Sequence, residues 1–111
     1  MKLISSVFNH GNSIPSRYTC DGEDISPPLY IEDVPENTKT FALIMDDPDA
    51  PMGIWDHWIL FNIPSSIQQI NEAEKPQGLE GKNSWGRTGY GGPCPPSGAH
   101  RYFFKMYALD T

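Results

Sequence analysis

Short runs of apolar and β-branched residues, each closed off by Gly, Pro, Asn or Asp, recur along the chain. Runs of this length and spacing are the pattern of an antiparallel β protein. They predict strands from Lys2 to Phe8, Leu29 to Glu32, Thr40 to Met45, His57 to Ile63 and Arg101 to Leu109. No window of a dozen residues carries a 3.6-residue period, so helices are expected to be few and short. Ser66 to Glu74 is the best candidate for a turn or two of helix. Trp55, Trp58, Phe61, Phe103, Phe104 and Tyr107 alternate within the strand runs as core residues do, and are expected to pack inside.

The sequence has 111 residues, enough for one domain over 1–111 but not two. A domain of this size buries roughly two thirds of the surface its unfolded chain exposes. No stretch approaches the roughly 20 apolar residues that span a bilayer, and neither a basic amphipathic segment nor a lipidation motif is present, so stable membrane association is not expected. The apolar part of Met1 to Phe8 is too short for a signal peptide, which points to the cytoplasm. In that compartment Cys20 and Cys94 are expected to be free thiols, although a single bridge is geometrically open. No C-x-x-C or H-x-x-x-H spacing offers a zinc site, and no cofactor is implied.

The net charge of −6 speaks against a nucleic-acid partner, which needs a basic face. The charge is uneven, however. Residues 1–80 hold 13 acids against 4 cations, whereas residues 81–111 hold one acid against Lys82, Arg87, Arg101 and Lys105. The C-terminal third can therefore receive a small anion.

Three clusters carry chemistry: Asp46-Asp47-Pro48-Asp49-Ala50-Pro51, Trp55-Asp56-His57-Trp58, and Gly98-Ala99-His100-Arg101-Tyr102-Phe103. Each lies where a predicted strand meets a loop, a common place for functional side chains. His57 and His100 offer imidazoles that titrate near neutral pH, Tyr102 a hydroxyl, and Asp47 a carboxylate that can orient or charge a histidine. A phosphate, sulfate or carboxylate head group can accept hydrogen bonds from both histidines, from Tyr102 and from amides of the loop from Gly91 to Gly98. Taken alone, the histidines read first as structural residues at strand ends. Asp49 invites a turn-capping reading because Asp-Pro pairs initiate turns, and also a salt bridge to Arg101 that links the two outer clusters. The stretch from Glu74 to Gly98 is rich in Gly and Pro and is long for a loop in so small a domain.

Asp47-Pro48-Asp49-Ala50-Pro51, His57-Trp58 and Gly91-Gly92-Pro93-Cys94-Pro95-Pro96-Ser97-Gly98-Ala99-His100-Arg101-Tyr102 resemble, in order and spacing, the signature regions of the phosphatidylethanolamine-binding protein family. Cys20-Asp21-Gly22-Glu23-Asp24-Ile25-Ser26-Pro27-Pro28-Leu29 is similar to its bacterial and archaeal branch, the Raf-kinase-inhibitor-like proteins. The resemblance spans essentially the whole chain. It implies a two-sheet antiparallel β-sandwich with Greek-key connections and a small anion pocket at one end. Ligand-binding positions carry over onto Asp47, Pro51, His57, His100 and Tyr102, with Asp49, Arg101 and Gly98 as support. It also implies a further strand and a C-terminal helix beyond Asp110-Thr111, so the sequence is expected to be a natural truncation or a fragment.

The expected function is non-catalytic binding of a small anionic ligand, in a regulatory protein. One alternative is an interaction or inhibitor protein that modulates a kinase or another enzyme, as the family's eukaryotic members do, and a homodimer or protein partner stays open. The other is a hydrolase. Against it, Ser97 lies near His100 without a G-x-S-x-G elbow, and the histidines lack metal-ligand spacing.

Overall fold

Two antiparallel sheets face each other across one apolar core. The computed structural model describes residues 1–9, 13–51, 53–74, 76–94 and 101–111. In chain order the strands are β1 (Lys2–Ile4), β2 (Leu29–Glu32), β3 (Thr40–Asp47), β4 (Trp55–Pro64), β5 (Gln69–Ile70), β6 (Leu79–Glu80) and β7 (Phe103–Leu109), with a 3-10 turn at Ser16–Tyr18. The smaller sheet runs β1-β2-β5 and the larger β6-β4-β3-β7. β7 therefore returns to the free side of β3, which carries the 101–109 segment to the acidic end of that strand.

The core follows from the period-two pattern of the strands. Phe41, Leu43 and Met45 of β3 alternate with half-buried residues and point at Leu29 and Ile31 of β2 and Ile70 of β5. Trp58, Leu60 and Ile63 of β4 complete the cluster. Burying each such side chain is worth roughly 1.5–3 kcal/mol before the entropy of ordering it is subtracted. Of the aromatic residues expected inside, Trp58 is buried and Phe104 packs partly against the core, while Phe61, Phe103 and Tyr107 are exposed on the outer face. Phe103 and Tyr107 alternate with the inward Phe104, Met106 and Ala108, so the strand period itself sends them out.

Element boundaries shift for identifiable reasons. β1 stops at Ile4, opposite Tyr30, because its partner strand is preceded by Pro27-Pro28, which has no amide donors; the Ser5 hydroxyl instead donates to the Pro28 carbonyl at 2.7 Å. The helix expected from Ser66 to Glu74 is absent. Ile67 N donates to Pro64 O in a turn, and Ile31 N donates to Gln68 O. Ile70 then pairs with Leu29 and is buried. A helix that short is marginal in water, whereas pairing with β2 satisfies the same backbone groups and buries Ile70.

Cys20 and Cys94 are bonded, contrary to the free thiols expected. Three hydrogen bonds lay the segment around Cys20 beside the one around Cys94: Cys20 N to Pro93 O at 3.1 Å, the Tyr90 hydroxyl to Tyr18 O at 2.8 Å, and Gly92 N to Asp24 Oδ1 at 2.8 Å. They bring the two Cα atoms to 5.4 Å, within bridging distance. A separation of 74 residues hid this adjacency from the sequence. Among the described residues no helix is long and apolar enough to cross a membrane.

Reduction of this bridge is expected to lower unfolding stability by about 4 kcal/mol, the loop-closure entropy for a loop of this length. Urea midpoints of the oxidised chain and of the Cys20→Ser/Cys94→Ser variant check it; coincident midpoints would show that hydrogen bonds alone fix the two segments.

Candidate functional site

The site forms at the end of the larger sheet where the register between β3 and β4 shifts. Met45 lies opposite Trp58, but the next residue, Asp46, lies opposite Asp56, so His57 is an extra residue on β4. Such a bulge re-aims side chains and is common beside functional sites. Here it leaves His57 and Trp58 buried in succession, which an unbroken strand pattern forbids. The strands also run further than expected, to Asp47 on β3 and back to Trp55 on β4, so the acidic cluster is the strand end itself.

His57 is 3% exposed. Its Nδ1 lies 2.7 Å from the Gly91 carbonyl, while Gly91 N donates to the His57 carbonyl at 3.0 Å. A carbonyl can only accept, so Nδ1 carries the proton and Nε2 holds the lone pair when the ring is neutral. Burial pushes the imidazole below its ordinary value, opposed by the Gly91 carbonyl and by the negative charge of Asp47. The ring stands edge-on to Trp85 at 5.1 Å and to Tyr102 at 5.4 Å between centroids. Thus Gly91, rather than Asp47, orients this histidine.

Trp85 is set in place by Asn83, a buried residue that sequence reasoning missed. Its Oδ1 accepts from Trp85 N at 3.0 Å and Arg87 N at 3.2 Å, and its Nδ2 donates to Gly89 O at 3.2 Å. Asn83 thereby folds the 83–89 loop over His57. Gly91 and Gly92 must stay bare. A Cβ on Gly91 runs into the Trp85 ring, and one on Gly92 into the Tyr18 carbonyl and Asp24. The amides of both glycines are already spent, on His57 O and Asp24 Oδ1, so they are not the ligand donors expected of this loop.

On the other side, Asp47 is 4% exposed and its Oδ1 accepts from Asp49 N at 2.8 Å, a local turn of the kind Asp-Pro sequences favour. Asp49 meets Arg101 as expected. Nε and Nη2 of the guanidinium and the Arg101 amide donate to the Asp49 carboxylate at 2.8–2.9 Å. That amide is thereby lost to the sheet, and β7 starts at Phe103. The pair is largely solvated, so its role is geometric more than energetic. Lys105 donates to Asp46 Oδ2 at 2.9 Å, while Asp46 Oδ1 is buried without a hydrogen-bond partner among the described residues.

Tyr102 brings the most informative atom. Its hydroxyl is sealed from solvent yet has no hydrogen-bond partner among the described residues. Burial, then the charges of Asp47 and Asp49, push it up to about 12, so it stays protonated. The structure thus brings together Asp47, His57 and Tyr102, with Asp49 and Arg101 behind them. Pro51 is exposed in the turn beyond Asp49. His100 and Gly98 lie outside the described residues, as do the rest of residues 95–100. A separate cavity of about 240 Å³, lined by Asp24, Ser26, Trp58, Glu74, Glu80 and Tyr90 among others, includes none of the predicted site residues and is too acidic to attract an anion. Among the described residues no group of three His, Cys, Asp or Glu side chains is arranged to hold a metal ion.

Residues 4–111 match the family model described as phosphatidylethanolamine-binding protein. A UPF0098 protein of Methanothermobacter thermautotrophicus is 54% identical over the whole chain, which covers 78% of that relative. A UPF0098 protein of Archaeoglobus fulgidus is 50% identical over 97% of the chain, which spans only 40% of it. Among solved structures, a phosphatidylethanolamine-binding protein homolog from Chlamydia trachomatis superposes with a TM-score of 0.95 at 42% identity, over 98% of this chain and 74% of that one. E. coli YbcL, described as a new member of the mammalian family of these proteins, gives 0.92 at 35% identity, over 99% and 77%.

Because His57 titrates below the usual value of about 6.5, the unfolded chain takes up its proton first as the pH falls. The stability tied to a neutral His57 is complete above that value and is lost below it. Unfolding midpoints should therefore fall on acidification from about pH 7 to 5, and His57→Gln should flatten that limb; equal slopes in both proteins would remove His57 as the cause.

Proposed function

Because the chain belongs to the phosphatidylethanolamine-binding protein family and its acidic strand end closes on a buried histidine and tyrosine, we propose that it binds a small phosphate-type anion without transforming it. The observation that carries this reading is the Tyr102 hydroxyl, sealed and without a partner among the described residues. Leaving such a group unsatisfied costs about 1–3 kcal/mol. A ligand oxygen that accepts its proton recovers that cost, and the adjacent imidazole offers a second polar contact in the same place.

The arrangement favours binding over chemistry. Nδ1 of His57 is committed to Gly91, the ring leans on Trp85 and Tyr102, and among the described residues no serine or cysteine side chain hydrogen-bonds to it; the nearby Ser84 hydroxyl accepts from the Asp56 amide instead. Cys94 is tied up in its bridge. A regulatory use follows from the same economy: a site that grips an anionic head and ignores what is attached reports on a class of metabolites or headgroups. The disulfide steadies the wall behind His57, so the reading suits a setting in which the bridge survives better than the reducing cytoplasm suggested by the N-terminus.

Titration with inorganic phosphate and phosphoethanolamine, followed through the His57 ring signals by NMR, should give saturable shifts. His57→Ala should weaken binding by at least tenfold, the loss of one hydrogen bond to a charged group. Rings that stay unmoved in a folded protein would discard the anion reading in favour of an interaction protein.

A further inference from the structure

The tautomer of His57 narrows the ligand further. Its Nδ1–H is fixed on the Gly91 carbonyl at 2.7 Å, and Gly91 is itself held in place by its amide on His57 O, so a flip of the ring to offer the opposite nitrogen would break the Nδ1 contact. Nε2 then faces the site as an acceptor. Among the described residues no hydrogen bond reaches Nε2. Negative charge approaches the same ring from two elements, Asp47 at the end of β3 and Asp24 in the segment beside Cys20. From the third side comes Tyr102, protonated and neutral; the 83–92 stretch contributes Trp85 and the Gly91 and Gly92 backbones, with Arg87 beyond, its guanidinium 6.0 Å from the Trp85 centroid.

A fully ionised oxyanion suits this corner badly, because it would set lone pair against lone pair at Nε2 and negative charge beside Asp47. An oxyanion with one acidic O–H suits it well. The O–H donates to Nε2, and a second oxygen accepts from the Tyr102 hydroxyl. We propose that His57 makes this a proton-linked site, selecting phosphates and phosphomonoesters as their protonated monoanions and rejecting sulfate-type anions, which carry no proton near neutral pH. This rests on the anion-binding reading above and adds the charge state of the ligand to it.

The proton balance is explicit. A monoanion brings its own proton and the complex takes none from solvent. A phosphomonoester dianion, the main form above its second pKa of about 6, must take one proton from the buffer, shared between the ligand oxygen and Nε2. Asp47 and Asp24 favour that proton; burial of the ring opposes it when no ligand is there.

Isothermal calorimetry of the whole chain with phosphoethanolamine, inorganic phosphate and sulfate, at about pH 8.5 in two buffers of different ionisation enthalpy, reads this directly. The expected result is uptake approaching one proton per phosphoethanolamine or phosphate, sulfate at least tenfold weaker, and proton uptake abolished in His57→Gln. Phosphate binding with no buffer dependence, or sulfate binding as tightly as phosphate, would overturn the proposal while leaving an anion site intact. No binding of any of the three at any pH between about 5 and 8.5 would overturn the anion reading and this inference together. If His57→Gln does not fold, the buffer dependence of the unaltered chain decides alone.

Discussion

The two hydrogen bonds exchanged by His57 and Gly91 are the constraint on which the site depends. One residue lies on a bulged strand and the other in a loop without regular structure, yet the pair binds them as firmly as a rung of sheet. The bulge is what makes the exchange useful. Without the extra residue on β4, the strand period would place His57 and Trp58 on opposite faces, and one of them would be in water. The loop is fixed in turn by Asn83 from one side and by the Cys20 segment from the other. Bare glycines at 91 and 92 permit that contact, since any side chain there would strike Trp85, Tyr18 or Asp24.

Charge has a different task. Asp46 and Asp56 sit opposite one another on paired strands, an arrangement that repels. Lys105 answers one of them from β7, and Arg101 answers Asp49 a turn later. Both cations come from the basic C-terminal third and both anions from the acidic remainder, so the uneven charge along the sequence is the same fact as the docking of β7 on β3. Burial makes the Asp46 contact the more demanding one, since its second oxygen lacks a partner among the described residues, whereas the Arg101 fork can relax in solvent.

The sheets were legible wherever a strand alternated cleanly, as at Phe41, Leu43 and Met45. Asp47, His57, Tyr102 and the Asp49–Arg101 contact were legible because motif spacing placed them at strand ends, and the family resemblance named the same residues. Three things were not. The bulge at His57 is a matter of register between strands, which no single strand reveals. The disulfide depends on two irregular segments that meet through backbone hydrogen bonds, while the cysteines are far apart in sequence and compartment arguments pointed the other way. The role of Asn83 was invisible because an asparagine among glycines reads as one more turn residue, and only the five backbone groups bonded to it show that it is a hub. The helix expected at Ser66 to Glu74 failed for a related reason: Ile67 and Ile70 have helical spacing, but β2 offered Ile70 a better partner.

The bond between Cys20 and Cys94 turns the intervening chain into a closed circle that holds β2 through β6, with β1 and β7 outside it. Asp47 and His57 ride on the circle, whereas Arg101 and Tyr102 belong to the arm that lies against its edge. Among the described strands the arm pairs only with β3, as an edge strand of the larger sheet, and its inner residues are only half covered. Segments of that kind open locally at lower free energy than the core they rest on. Half of the proposed site is thus welded and half is hinged, so on the proposed reading a ligand that touches both histidine and tyrosine would work as a clasp. On that reading, amide protection along residues 103–109 is where occupancy of the site would make itself felt at a distance.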